Sequence, residues 1–177
     1  MAIQRLTIDG KAQVELNRCA FQKDGSIEAQ CAWDENSDAE NGMLLAVNKV
    51  TGKVTFATAG NTLPVLLNYT SEKLYESNKK GLKNFSSKKG DMLRLGWLEA
   101  GDLFTTNAVS YEATTYTNDG EFLAAVAGVA STALFGNPHT DGSIVCSATA
   151  VTDGLNLVVV KKTTLPDGSD AVQFQKI

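Results

Sequence analysis

Short runs of alternating apolar and polar residues, broken by tight turns, fill most of this chain. In Lys53-Val54-Thr55-Phe56-Ala57-Thr58 the side chains Val54 and Phe56 fall on one face, and Lys53, Thr55 and Ala57 on the other. That period of two predicts a half-buried strand. The preceding run, Met43-Leu44-Leu45-Ala46-Val47-Asn48-Lys49-Val50, joins it through Thr51-Gly52 and predicts a hairpin. Further strands are predicted at Val65–Tyr69, Met92–Leu98, Asp102–Thr106, Tyr111–Thr117, Ile144–Ala148, Leu155–Lys162 and Asp170–Gln175. Six Asp-Gly pairs, beginning at Asp9, Asp24, Asp119, Asp141, Asp153 and Asp167, mark turns. The pair suits tight hairpins because both central residues of the favoured turn need positive φ.

One segment departs from the β pattern. Glu121-Phe122-Leu123-Ala124-Ala125-Val126-Ala127-Gly128 is apolar on every face, and its alanines and the nearby Asp119 favour a short helix. Val126, Val129 and Thr132 would equally suit a buried strand, and the helix is the preferred reading. Irregular chain is expected to follow through Phe135-Gly136-Asn137-Pro138.

The first forty residues carry a weaker pattern and end in a polar acidic stretch, Asp34 to Gly42. The expected organisation is therefore an N-terminal arm and acidic link over residues 1–41, followed by a β-rich body over 42–177. The fold class expected is all-β, or β-rich with one short helix: a compact barrel or sandwich bearing the arm. An arm would leave Ile3, Leu6, Ile8 and Trp33 poorly covered, which makes them candidate contacts to another protein.

Composition narrows function only a little. The chain has 177 residues, 43% hydrophobic and 20% charged, with net charge -4. That is enough chain for a sizeable core, and the charge mildly disfavours nucleic acid and anionic membranes. No run approaches the roughly 20 apolar residues of a membrane-spanning helix, and the N-terminus lacks the apolar stretch of a secretory signal. Synthesis in a cytoplasm is expected. Cys19, Cys31 and Cys146 are odd in number and show no Cys-x-x-Cys, so they read as small buried hydrophobes rather than a disulfide framework.

Candidate chemistry is sparse. His139 is the single histidine, and no serine lies in a Gly-x-Ser-x-Gly context for it to activate. Asp34, Asn36 and Asp38 fit positions one, three and five of a calcium loop, but Ala39 replaces its glycine and Leu45 its bidentate glutamate. Neither dinucleotide nor Walker spacing occurs. The expectation is a protein that is not an enzyme, with no cofactor and no metal.

Residues 78–90 form a basic loop with five lysines and no acid. It reads first as a solvated loop, then as a contact to an acidic protein surface, and last as a nucleic-acid patch with Phe85 as a stacking ring. Lys79, Lys80, Lys83 and Phe85 join the candidate protein interface. Trp97, inside an apolar strand, reads as core.

Three stretches together carry a resemblance: Gly42 to Asn48 running into Thr51-Gly52-Lys53-Val54; Lys89 to Leu95 with Gly101 to Asn107; and Val158 through Gly168 to Ile177. Their arrangement resembles small virion structural proteins of tailed bacteriophages, in particular the capsid decoration or cement class. The resemblance implies a compact β-barrel or sandwich that binds and stabilises the outer surface of a capsid. It implies the major capsid protein or other virion proteins as partners, a homo-oligomer, and a place in the virion. No catalytic residue is implied. Two other readings stand beside it: another virion component such as a tail-tube, connector or head-fibre base subunit, and a small β-fold ligand-binding module.

Overall fold

A computed structural model describes residues 2–57, 61–70, 82–128, 134–149 and 155–177. The early strands are β1 (Ile3–Arg5), β2 (Val14–Arg18) and β3 (Ile27–Trp33), with a short helix α1 (Phe21–Asp24) before β3. Then come β4 (Leu44–Asn48), β5 (Lys53–Phe56), β6 (Val65–Asn68) and β7 (Met92–Gly96). After β8 (Leu103–Thr106) and β9 (Val109–Glu112) lies the helix α2 (Asp119–Ala127). The chain ends with β10 (Phe135–Pro138), β11 (Ile144–Ser147), β12 (Leu157–Thr164) and β13 (Asp170–Lys176).

These strands make two units. Strands β3, β5, β4, β6 and β7 close into a barrel, and the other eight form an open sheet in the order β1-β9-β11-β10-β12-β13-β8-β2. The protein is β-rich, as the alternation predicts.

The continuous apolar run of β4 is explained by burial on both faces. Leu45 and Val47 point into the barrel core with Trp33, Met43, Val54, Leu66, Leu93 and Leu95. Leu44 points the other way and, with Leu67 of β6, joins the core of the large sheet around Phe104, Tyr111, Phe122 and Phe174. A strand covered on both sides needs no polar face. The β4–β5 hairpin pairs Leu45 with Phe56 and Asn48 with Lys53, and the last hairpin pairs Thr164 with Asp170.

Three local expectations are corrected. Strand β9 ends at Glu112, and the chain turns where a strand through Thr117 was expected. The helix is capped by Asn118, whose side chain accepts from the Glu121 amide, and not by Asp119. Phe135–Pro138 is strand β10, paired along β11. Gly136 permits this, because a Cβ there would lie 2.8 Å from Ile144 and 2.9 Å from the Phe174 ring.

The largest correction concerns the first forty residues. They are not an arm lying apart from a body. Strands β1 and β2 form the two edges of the eight-stranded sheet, and β3 is a barrel strand paired with β5 and β7. Phe21 of α1 is fully buried against Tyr69, ring centroids 4.9 Å apart. Trp33 is 1% exposed and meets the Phe56 ring edge-on at 4.9 Å. A weak alternating pattern misleads here because β1 and β2 each cover one neighbour only, and edge strands need fewer apolar positions than central ones.

Candidate functional site

The acidic stretch 34–40 and the described part of the lysine loop are one structure. Asp34 accepts from Lys53 Nζ at 2.9 Å, and Lys89 Nζ reaches Asn36 Oδ1 at 3.4 Å. Asp38 takes Lys88, the Ser86 hydroxyl at 2.8 Å and Lys11 at 3.2 Å. Ala39 and Ser87 exchange two backbone hydrogen bonds, at 2.9 and 2.8 Å. The loop that fails as a calcium site is thus filled by ammonium groups of its own chain. The Lys88 hydrogen bond, helped by Ser86 and Lys11, holds the Asp38 carboxyl down at about 2 against the opposing effect of its burial.

Glu40 lies deeper, its side chain 8% exposed. It binds Arg5 of β1, Lys11 at 3.4 Å and the Ala12 amide at 2.9 Å. The same device recurs along the N-terminal segment. Thr7 N donates to Asp119 at 3.0 Å, Gln13 N to Asn107 Oδ1 at 2.7 Å, and Ala20 N to Asp102 at 2.8 Å. The Gln13 side chain donates to Asp167 at 2.6 Å. Side chains from position 38 to position 167 therefore clasp residues 5–20. Burial raises the Asp119 carboxyl, and hydrogen bonds from Tyr111 and Thr7 more than offset it, so its pKa falls. Asp167 behaves in the same way through Ser169 and Gln13.

Two results follow from this clasp. Glu40→Ala leaves Arg5, Lys11 and the Ala12 amide short of an acceptor, and stability should fall by about 2–3 kcal/mol, measured by urea unfolding. Acid should loosen the same contacts. Folded pKa values of Asp38, Asp119 and Asp167 lie below the ordinary value, so their contribution is present above about pH 4 and is lost as pH falls through the folded values, about 2 for Asp38. Thermal unfolding at pH 7, 4 and 2.5 should show the midpoint dropping at the lowest pH. An unchanged midpoint would contradict it.

His139 sits in the β10–β11 turn with Nδ1 2.9 Å from Asp141 Oδ1. That oxygen also accepts from the Ser143 hydroxyl at 2.6 Å and the Ser143 amide at 2.9 Å. The buried Ser143 hydroxyl also touches that of Ser110, at 2.6 Å. A nucleophilic triad needs the serine on the imidazole, whereas here serine and imidazole share the carboxylate, which builds a turn. Among the described residues no group of three or more His, Cys, Asp or Glu side chains is placed to hold a metal. All three cysteines are buried, and burial pushes the thiols of Cys31 and Cys146 up, away from the reactive thiolate.

The expected interface residues are dispersed. Leu6 and Trp33 are buried in the two cores, and Ile3 and Ile8 are half-buried. Lys83 is exposed and pairs with Asp9 at 2.7 Å, while Phe85 is half-buried. Lys79 and Lys80 lie outside the described residues. Sequence reasoning missed Glu40, Asp102, Asn107, Asp119 and Asp167. The complementary charge of residues 34–40 and 79–89 signals the Asp38–Lys88 contact but none of this set, because Glu40 pairs with Arg5 and Lys11.

A second polar cluster lies where β3 and β7 pair. Trp97 Nε1 donates to Glu28 Oε1 at 3.2 Å, and Lys49, from the β4–β5 turn, forms an ion pair with that same oxygen. The Lys49 ammonium stands 4.7 Å from the Trp97 ring centroid. The Lys49 hydrogen bond, assisted by Trp97, lowers the Glu28 pKa.

No family model, curated protein or solved structure matches the chain. Among the described residues no helix is long and apolar enough to cross a membrane.

Proposed function

We propose that the protein is a structural component that acts by binding other proteins, and that it is a decoration or cement subunit on the outer surface of a tailed-phage capsid. The observation that carries this reading is where the polar groups go. Glu40, Asp102, Asn107, Asp119 and Asp167 spend their acceptors on fixing residues 5–20 to strands and turns far along the chain. A protein that reinforces a shell must keep one shape while its outer surface meets a neighbour, and clasps of this kind between distant parts of one chain supply that rigidity. The β-rich body and the three stretches that resemble cement proteins support the same reading. The partners are then the major capsid protein, other virion proteins or further copies of this chain.

The test looks for a major capsid gene in the genome that encodes the chain and co-sediments the protein with empty shells assembled from that gene's product. Pelleting at a fixed ratio to the shell subunit, with density at symmetry-related positions on the outer surface by cryo-electron microscopy, is the expected result. Density confined to the tail or neck would favour the tube or connector reading. A protein that stays in the supernatant and appears nowhere on the particle would overturn both.

A further inference from the structure

A groove of about 530 Å³ runs beside the paired ends of β3 and β7, lined by Gly25, Ser26, Ile27, Glu28 and Trp97–Glu99. Two of its lining residues already hold a cation: the Lys49 ammonium faces the Trp97 ring and the Glu28 carboxylate. An aromatic face beside a carboxylate is a chemical match for an alkylammonium or guanidinium group. Lys49 reaches these two residues from a hairpin turn, and its side chain is 53% exposed. It is held there by tethering more than by burial, so a free cation of the same kind competes with it.

We propose that this groove is a recognition site for a lysine- or arginine-bearing segment of a partner protein, with Lys49 as its built-in competitor. The occupant's chemistry is set by what the site already accepts. A second carboxylate, Glu99, also lines the groove and is exposed, and among the described residues no cation pairs with it. A partner with two neighbouring basic residues would use both acids, one at Glu28 after displacing Lys49 and one at Glu99. The net charge of -4 steers such a segment toward the protein. The inference concerns the chemistry of the occupant and holds whether or not the partner is a capsid.

The test follows the Trp97 indole N–H by NMR in the full chain, assigned with Trp97→Phe, while an acetylated tetralysine peptide is added at fixed ionic strength. Saturable shifts of that signal are expected. Lys49→Ala removes the competitor and should tighten binding about five- to tenfold, and because Lys49 is half exposed the fold should survive. Glu28→Gln should weaken binding by a similar factor, and a peptide with acetylated lysine side chains should not bind. Equal affinity in wild type, Lys49→Ala and Glu28→Gln would mean attraction by the general acidic field and overturn the site, as would no binding by any of the three. Concentration-dependent shifts without peptide would make the occupant a second copy and overturn the assignment to a different partner.

Discussion

Phe21→Ala should cost about 3–5 kcal/mol of stability, a loss that lowers the melting temperature by on the order of 10 °C in a chain of this size. Phe21 belongs to the N-terminal segment, yet its fully buried ring sits in the core of the large sheet and reaches a barrel strand. Gly96 of β7 leaves the space for it, because a Cβ there would lie 2.5 Å from the Phe21 ring. Gly96→Ala should therefore destabilise through the same contact. The two substitutions touch one cavity, so their effects should not add: the alanine methyl partly fills the hole left by Phe21→Ala. Urea unfolding of the two single variants and the double variant measures the coupling. Additive losses would show that ring and glycine do not meet.

Gly42→Ala should be damaging for two separate reasons. Its φ is +82°, in the left-handed region, where a side chain costs roughly 1–2 kcal/mol. A Cβ would also fall 1.9 Å from Thr106 Oγ1 and 3.1 Å from the Gln13 carbonyl oxygen. Thr106 has little freedom to turn away. Its hydroxyl donates to Gln13 O at 2.8 Å and accepts from Ala108 N at 3.0 Å. Either the new methyl displaces β2 from the sheet or those two bonds break, and a loss of about 3 kcal/mol or more is expected. Gly52, also at positive φ but with nothing within 4 Å of its Cβ position, is the control, and its alanine variant should lose only the backbone contribution. Calorimetry of the two variants separates strain from collision, and equal losses would show that the collision at Gly42 is relieved without cost.

Strand content and turns were legible because they rest on local chemistry. The alternation at Val54 and Phe56, the unbroken run before it and the turn at Asp167-Gly168 each specify a hairpin without outside help. The place of the first forty residues was not legible. Phe21 and Trp33 are large apolar anchors in the right segment, but what they bury against lies far along the chain, at Gly96 and Tyr69 for one and Phe56 for the other. The clasp was hidden for the same reason. Asp119 reads as a helix cap because it stands at the start of a helix, and only the fold brings Thr7 to it. The acidic stretch was half legible: its charge and the lysines of residues 79–89 are complementary, but a charge run on its own looks like a solvated face.

Residues 5–20 as a clasped part of the fold, and not as a mobile arm, are the central claim. Amide hydrogen exchange of the full-length protein at pH 7 tests it most directly. The amides of Thr7, Ala12, Gln13 and Ala20 are held by side-chain acceptors at 2.7–3.0 Å and should exchange far more slowly than an unstructured chain. In Glu40→Ala, Ala12 should lose protection first, ahead of Thr7 and Ala20, because Glu40 holds that amide alone among the four. Exchange of all four at the unstructured rate in the wild-type protein, with the barrel strands still protected, would contradict the account and restore the arm.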